Sequence, residues 1–444
     1  MVPCRAIVQQ RSAAGVDGCS NLMVVKLFSD SNSSRAEAFE ALLAACRVAD
    51  WIQLQPPQRT LPLLSEAVLP AGSGFVIPSG GSTGGQGFCF QPRANLDASA
   101  EATSRWLLGI GIRSQHSVLL NPLPLHHISG LMPWWRSRVW GANHLPLEPA
   151  WLKQPSLMWA RIDALPDPGR VPRLLSVVPT QLIRLMEDPA GLESLKSCAV
   201  IWVGGAGLNC SCRAAARRER LNLAPCYGAT ETTAMVTALP PQDFLQGMDG
   251  CGDGLGDVEI QLNDDGGLMV RTQRLAVGRW NGSQDSAPEL LRDAEGWWCS
   301  GDLARWLPGL AGDGVRRSLQ LIGRRDAVIN SGGETLFLER LEEQMDTLFT
   351  ELPIQSFLLI GLADAYWGEM LIGLVRFDDH LGSSRCNHLL LSLHEKCIVF
   401  SSSERPKQWL HCPSLAVNPA GKFERIRWAD WAADQLKLGK DFLV

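Results

Sequence analysis

The sequence predicts an α/β fold: a large N-terminal α/β domain of several subdomains that includes a β-rich unit, then a small C-terminal α/β domain. In the first half of the chain, apolar strand patterns alternate with amphipathic helix patterns. A later run, residues 256–272, alternates polar and apolar residues as a β-hairpin does. After Arg324 a shorter set of strand and helix patterns begins. We therefore expect one domain at residues 1–324 and a second at residues 325–444.

The elements of the large domain can be predicted in order. Residues 35–48 carry apolar residues at helical spacing, and residues 117–125 read as an apolar strand that runs into a loop. Residues 174–186 contain a strand and then an amphipathic helix that begins near Pro179. Residues 197–207 form another apolar strand, which ends in glycines. This alternation is typical of a sheet covered by helices.

The β-rich unit and the small domain follow. Residues 256–272 have an Asp-Asp-Gly-Gly turn at their centre, which favours a hairpin. In the small domain the spacing of apolar residues predicts helices at 335–349 and 383–399 and strands at 354–360 and 369–377. These four elements form a separate α/β module.

Composition excludes several classes of protein. The 444 residues include 41 basic and 46 acidic side chains, and this net charge of −5 argues against a broad nucleic-acid surface. No apolar run approaches the length of a membrane span, and the first residues lack the apolar centre of a signal peptide. The 13 cysteines are scattered, and Cys210 and Cys212 have no second pair to complete a zinc site. We expect reduced thiols in a cytoplasmic protein; nothing indicates its oligomeric state.

The densest run of small residues is VIPSGGSTGGQGF, residues 76–88. Glycines allow a backbone to turn its N–H groups toward an anion, and the hydroxyls of Ser79, Ser82 and Thr83 are further donors near Gly84. The run contains no lysine or arginine and does not match a P-loop. Taken alone it indicates either a phosphate site or a flexible surface loop.

A second motif is CYGATETTAMV, residues 226–236. Tyr227 offers a flat face for a purine, Thr230 can donate to a phosphate, and Glu231 is an oxygen ligand suited to magnesium. The alternative is a helix that begins here, with Thr230 as its cap and Glu231 in its first turn. The residues alone do not decide between these readings.

Two further motifs could hold a ribose. In WWCSGDLARW, Asp302 follows a turn of small residues, where a carboxylate can bind two vicinal hydroxyls. In LIGRRDAVINSGGETL, Arg324 could meet a nucleotide, and paired glycines make a second tight turn. An ordinary turn aspartate and an interdomain connector are the alternatives.

The last two motifs are weaker. Lys422 lies on a glycine-preceded turn in NPAGKFERIRW, where a lone lysine is usually solvated. His127 is the second of two adjacent histidines in LPLHHISGLMPWW. No other His, Cys or carboxylate lies at ligand spacing from it, so a metal site is not predicted there.

The order of these motifs is more specific than any one of them. Between about residues 76 and 425 the chain resembles the adenylate-forming superfamily of acyl-CoA synthetases and ligases. Within it, PLHHISGLM and SVVPTQLIRL are similar to the o-succinylbenzoate–CoA ligases of menaquinone and phylloquinone synthesis. The resemblance implies a ligase with three substrates, a small carboxylic acid, ATP with Mg²⁺, and coenzyme A. The acid first forms an acyl-adenylate and pyrophosphate, and the thiol of coenzyme A then displaces AMP.

The resemblance also implies roles in the nucleotide site. Thr230 would contact phosphate and Glu231 would hold Mg²⁺. Adenine would lie between the two glycine-containing segments of the large domain, and the ribose would be held by a carboxylate and a guanidinium. The residues concerned are Gly204, Gly205, Ala206, Tyr227 and Gly228 for adenine, and Asp302 and Arg324 for ribose.

For the small domain the resemblance implies motion. Lys422 would bridge the carboxylate and the α-phosphate in the first step. Rotation about a hinge at Asp326 would then withdraw it and bring in the SGGET segment, residues 331–335, to form part of the tunnel for coenzyme A. His127 falls where the family has an acyl-pocket or gating residue. The tunnel residues concerned are Ser331, Gly332 and Gly333.

The chain departs from the family in its glycine-rich run. The lysine that usually follows these glycines is absent, and Gln86 and Phe88 stand near its place. We expect Mg²⁺ on Glu231 to supply most of the missing positive charge; the alternative is that Arg93 folds back. Three other functions stay open: a ligase for another aryl or acyl acid, an adenylation domain that loads a carrier protein, and a non-catalytic adenylate-binding relative.

Overall fold

The computed structural model describes residues 6–8, 24–28, 34–55, 68–80, 86–281, 288–308, 317–325, 328–331, 333–364, 366–418 and 423–440. Within these ranges the strands form four sheets, numbered below as β1–β22 in chain order. None of the helices in this part of the chain has the length and apolar character that a membrane span requires.

Two sheets belong to the first half of the chain. One has the strand order β1 (Ala6–Val8), β2 (Val24–Phe28), β3 (Trp51–Gln55), β4 (Gly74–Gly80), β5 (Gln86–Pro92) and β15 (Gly278–Trp280). The other has the order β12 (Asp253–Gly254), β11 (Ala234–Ala238), β10 (Leu223–Ala229), β9 (Val200–Val203), β8 (Arg173–Val177), β6 (Val118–Asn121) and β7 (Asn143–Pro146). Its central strands β6, β8, β9 and β10 are parallel.

The remaining sheets are antiparallel apart from one pair. The β-rich unit contains β13 (Glu259–Leu262), β14 (Gly267–Arg271), β16 (Trp297–Leu307) and β17 (Ser318–Arg324). The last sheet has the order β19 (Glu334–Phe337), β18 (Val328–Ser331), β21 (Gly368–Phe377) and β20 (Ile354–Asp364). The strand β22 (Gln408–His411) joins it by parallel pairing with β21.

The helices pack on these sheets. They are α1 (Arg35–Val48), α2 (Arg93–Gly109), α3 (Ile128–Trp140), α4 (Pro155–Asp163), α5 (Pro179–Met186), α6 (Pro189–Lys196), α7 (Cys210–Arg218), α8 (Pro241–Leu245), α9 (Leu338–Phe349), α10 (Ser383–Lys396) and α11 (Arg425–Lys440). Every residue of β9 is buried, because a parallel sheet with helices on both faces has no solvent-exposed side. This burial explains why the sequence of β9 is apolar throughout.

Most of the predicted elements are confirmed. The helix at 35–48, the strand and helix within 174–186 and the hairpin within 256–272 are all present. The prediction that a helix begins at residue 335 is wrong, because residues 334–337 pair with β18 as a strand and α9 begins at Leu338. The predicted helix at 383–399 is α-helical only to Lys396 and ends in a 3₁₀ turn. The domain boundary near residue 324 stays a prediction.

Candidate nucleotide site

The described residues of the glycine-rich run, 76–80 and 86–88, lie at facing ends of β4 and β5. These strands are antiparallel, with Ser79 opposite Gly87 and Gly80 opposite Gln86. Ser79 is 5% exposed, and its Oγ has no hydrogen-bond partner of standard geometry among the described residues. A buried hydroxyl without a partner is unfavourable unless a ligand or water meets it. The other residues named for this run, Ser82, Thr83 and Gly84, lie outside the described residues.

The motif CYGATETTAMV includes a turn beside these strands. Residues 230–233 connect the antiparallel strands β10 and β11, so no helix begins at Thr230 and that alternative is wrong. Gln91 of β5 donates from Nε2 to the carbonyl oxygen of Thr230 at 2.5 Å and of Glu231 at 3.4 Å. The N–H of Ala276 also donates to the Glu231 carbonyl, at 2.8 Å. The backbone of the turn is therefore fixed against the strand that follows the glycine-rich run.

A buried arginine holds the far side of the same turn. Arg274 is fully buried and pairs with Asp257 through Nε at 2.7 Å. Its Nη1 donates to the carbonyl oxygens of Thr232 at 3.1 Å and Met235 at 2.9 Å. The backbone needs this support, because Thr233, with φ of 52°, lies in the left-handed region that residues other than glycine rarely adopt. Sequence patterns singled out neither Gln91 nor Arg274. The only local signal for Gln91 was a polar side chain in an apolar strand, and Arg274 lies in a turn after β14 that gave no signal.

The side chain of Glu231 faces β5. The buried thiol of Cys89 lies near Glu231 and Ser79, and burial raises the pKa of Cys89 well above its usual value. The negative charge of Glu231 raises this pKa further, whereas Ser79 and Arg279 lower it. Cys89, Glu231, Ser79 and Arg279, from four different segments, therefore lie near one another.

The donor set at this place suits magnesium bound with a nucleotide. Mg²⁺ usually keeps several waters and takes one or two carboxylates together with substrate phosphates. Glu231 offers one partly exposed carboxylate. The described ranges contain no group of three or more His, Cys, Asp or Glu side chains that could hold a metal ion, so an ion here would take its other ligands from phosphate and water.

Tyr227, Asp302 and Arg324 are brought together by two different sheets. Tyr227 lies on β10 and donates its hydroxyl to Asp302 Oδ2 at 2.5 Å. Arg324 stands opposite Asp302 in the pairing of β16 with β17, with Nη1 3.5 Å from Oδ1. Burial raises the pKa of Tyr227 well above its usual value, and the Asp302 carboxylate raises it further, so the phenol stays a donor. Asp302 lies within a strand, directly after Gly301 with φ of 76°, rather than in a separate turn.

Glycines line the side of the site next to β9 and β10. A Cβ placed on Gly204 would lie 3.0 Å from the sulfur of Cys226, and Gly205 has φ of 87°. Gly205 and Ala206 are exposed where β9 ends. In open α/β sheets ligands bind at the carboxyl ends of parallel strands. A Cβ on Gly228 would lie 2.1 Å from the carbonyl oxygen of Ala234, which leaves glycine as the residue that fits.

The helix α9, in the C-terminal part of the chain, lies close to this site. Burial raises the pKa of Glu339, and nearby charges including those of Asp302 and Arg324 also act on it. Glu343 on the same helix accepts from Arg213 of α7 at 2.8 Å. The start of α9 therefore lies beside the carboxylate–guanidinium pair of the candidate ribose site.

Other predicted residues are less closely connected to this centre. His127 precedes α3 and its ring lies 4.3 Å from that of His126, centroid to centroid. Ser331 is fully buried at the end of β18, and Gly333 adopts φ of 82° in the following turn. Gly332, Asp326 and Lys422 lie outside the described residues. The guanidinium of Arg93 donates to the carbonyl oxygens of Cys46 and Ala49, and no hydrogen bond joins it to a described residue of the glycine-rich run.

Comparison with known proteins adds to this geometry. A sequence model of the family described as AMP-binding enzyme matches residues 30–275, more than half of the chain. The chain is 24% identical over 323 residues to the 2-succinylbenzoate–CoA ligase of Listeria innocua, covering 72% of this chain and 62% of that protein. It is 25% identical over 338 residues to the corresponding ligase of Escherichia coli, covering 75% and 64%. The chain thus spans less than two thirds of the length of these relatives.

Solved structures have the same fold. The o-succinylbenzoate CoA synthetase of Bacillus subtilis, in complex with its acyl-adenylate intermediate, aligns with a TM-score of 0.65 and 21% identity over 91% of this chain and 78% of that one. Its complex with ATP and magnesium ion gives 0.62 and 20%, covering 90% and 78%. An amide bond synthetase from Marinactinospora thermotolerans gives 0.63 and 21%, covering 91% and 79%. At these identities the likeness concerns the fold, and the predicted fold class is confirmed.

Proposed function

This chain belongs to the AMP-binding enzyme family, and from that premise we propose that it joins a carboxylic acid to coenzyme A through an acyl-adenylate. One observation carries the proposal. The glycine-rich strands, the Thr230–Glu231 turn and the Tyr227–Asp302 pair lie side by side, although they are distant in sequence. Their chemistry matches phosphate, magnesium and ribose in the order in which ATP presents them.

In the first step the acid's carboxylate attacks the α-phosphorus of ATP, and the bond to pyrophosphate breaks. Negative charge grows on the α-phosphate, so the reaction is favoured by donors that are fixed in advance. Thr230 would donate from the rigid turn, and Glu231 would hold Mg²⁺, which supplies charge neutralisation when bound. Asp302 and Arg324 would hold the ribose, and Tyr227 with residues 204–206 would flank the adenine. Lys422 would bridge the carboxylate and the α-phosphate.

In the second step the thiol of coenzyme A attacks the acyl carbon and AMP leaves. The proposed role of residues 331–333 is to form part of the tunnel that leads the thiol to this carbon. A hinge at Asp326 would exchange Lys422 for this segment between the two steps, because a domain motion can complete a catalytic site. His127 would line or gate the acyl pocket.

The acid that we propose is o-succinylbenzoate, in the biosynthesis of menaquinone or phylloquinone. It is supported by the ligases that the chain resembles and by the segments PLHHISGLM and SVVPTQLIRL. We place the reaction in the cytoplasm, where ATP and coenzyme A are available and the cysteines would stay reduced.

The decisive experiment is a substrate panel measured in two assays. ATP–pyrophosphate exchange tests formation of the adenylate with o-succinylbenzoate, benzoate, acetate and a fatty acid. Thioester formation with coenzyme A is then compared with transfer to a carrier protein. We expect o-succinylbenzoate to give the highest kcat/KM. Another acid preferred by tenfold, about 1.4 kcal/mol in transition-state binding, would overturn this substrate, and absence of exchange with every acid would overturn the activity.

The Lys422→Ala variant separates the two steps. We expect loss of adenylation by about a hundredfold or more, because the ammonium acts on the charge that develops at the α-phosphate. Thioester formation from supplied acyl-adenylate should remain, and equal loss in both half-reactions would contradict the role of Lys422. The Asp326→Pro variant should behave in the opposite way, since proline fixes φ and would block the hinge.

A further inference from the structure

The glycine-rich run has no cation of its own, but an arginine from another strand lies against it. A Cβ placed on Gly87 would be 2.9 Å from Nε and 3.3 Å from Nη2 of Arg279. The same point is 3.0 Å from Ser79 Oγ. Gly87 stands between Gln86 and Phe88, which lie near the place of the lysine that usually follows the glycines in the family that the chain resembles. The guanidinium of Arg279 therefore occupies the space that a side chain at this position would take.

Arg279 is held in this place by strand pairing. It lies on β15, where it is opposite Cys89 of β5. On its other side its backbone exchanges two hydrogen bonds with Glu289, at 2.8 and 2.7 Å. Cys89 in turn contacts Ser79 and Glu231. The arginine, the buried serine hydroxyl and the proposed magnesium ligand thus surround one spot.

We propose that Arg279 binds the terminal phosphates of ATP and provides, from β15, the positive charge that the glycine-rich run lacks. The inference rests on the proposed function and adds a residue to it. A guanidinium stays charged and presents a planar fork of donors that fits phosphate oxygens. Ser79 adds a hydroxyl donor next to it. The other arginine considered for this role, Arg93, is bonded to two backbone carbonyl oxygens at the end of α1 and beyond it.

A side chain at residue 87 would meet the guanidinium of Arg279. Gly87 is buried, and a Cβ within 2.9 Å of the guanidinium would force Arg279 to move. A lysine at residue 87 and an arginine at residue 279 therefore compete for the same space. A lysine introduced at residue 87 should consequently be tolerated best when Arg279 has been shortened.

The test compares ligands with and without terminal phosphates. Dissociation constants for MgATP, magnesium pyrophosphate and AMP are measured by calorimetry for wild type, Arg279→Gln, Arg279→Lys and Arg93→Gln. We expect Arg279→Gln to weaken the binding of MgATP and of magnesium pyrophosphate by about ten- to a hundredfold, because charged hydrogen bonds are lost. AMP should change by less than about twofold. The MgATP affinity of Arg279→Lys should lie between those of wild type and Arg279→Gln. Arg93→Gln should leave the ratio of ATP to AMP affinity unchanged.

A double variant keeps the inference testable if the single variant is damaged. Gly87→Lys combined with Arg279→Ala should recover MgATP affinity relative to Arg279→Ala alone, and thermal unfolding should confirm that each variant is folded. Equal weakening of ATP and AMP, or unchanged ATP affinity in folded Arg279→Gln, would overturn the role of Arg279 and leave the ligase proposal intact. If wild type bound neither nucleotide, the proposed function would fail together with this inference.

Discussion

Replacing Arg274 with methionine should destabilise the protein and displace the turn that carries Thr230 and Glu231. Arg274 is fully buried, and its guanidinium serves Asp257 and the carbonyl oxygens of Thr232 and Met235. Methionine retains much of the side-chain volume but none of the donors. The substitution therefore removes one partner of an ion pair and two hydrogen bonds to the backbone at once.

The magnitude follows from what is left unpaired. Removing one partner of a buried ion pair costs about 3–5 kcal/mol. The side chain of Asp257 is 22% exposed, so water can solvate it in part and the ion-pair contribution should lie near the lower end. Each buried carbonyl oxygen without a donor adds about 1–3 kcal/mol. Because these losses share one group and are not additive, we expect a total of about 3–5 kcal/mol.

Urea denaturation followed by tryptophan fluorescence measures this loss as a shift of the midpoint at constant slope. The matched control is Arg271→Met, which removes the arginine of an exposed pair with Glu259, whose side chains are 40% and 61% exposed. Exposed pairs are screened by water, so the control should hardly move the midpoint. Equal shifts in both variants would refute the reasoning. Adenylation should fall in Arg274→Met and remain in the control.

Two other predictions concern backbone space and pH. Gly228→Ala should destabilise the protein by about 2 kcal/mol or more, because its Cβ would lie 2.1 Å from the Ala234 carbonyl oxygen. The control is Gly207→Ala, because a Cβ added at Gly207 would have no atom within 4 Å. Similar thermal midpoints for the two variants would contradict the prediction. Burial lowers the pKa of His126 from 6.5 to about 3, with a smaller contribution from His127. As the pH falls, His126 therefore takes up a proton in the unfolded chain before it does so in the folded protein. The free energy of unfolding should consequently decrease between pH about 6.5 and 3. A His126→Gln variant with the same dependence on pH would contradict this cause.

The candidate site was only partly predictable from sequence. Tyr227, Asp302 and Arg324 were each named from short motifs, but their order along the chain did not say that Tyr227 would donate to Asp302. The reading of Thr230 as a helix cap failed because β10 continues into an antiparallel partner. Gln91, within a strand, and Arg274, in a turn, were missed because a polar side chain carries no information about which distant carbonyl it will meet.

Local patterns determined the elements of this protein and its family. Helical spacing specified α1, alternation around an Asp-Asp-Gly-Gly turn specified the β13–β14 hairpin, and the order of short motifs indicated an adenylate-forming enzyme. The tertiary structure alone decided that residues 334–337 form a strand and that Arg279 lies against Gly87. Both depend on pairing between segments that are distant in sequence. Such pairing is selected by burial and hydrogen bonding across the whole fold, which the spacing of residues within one segment does not encode.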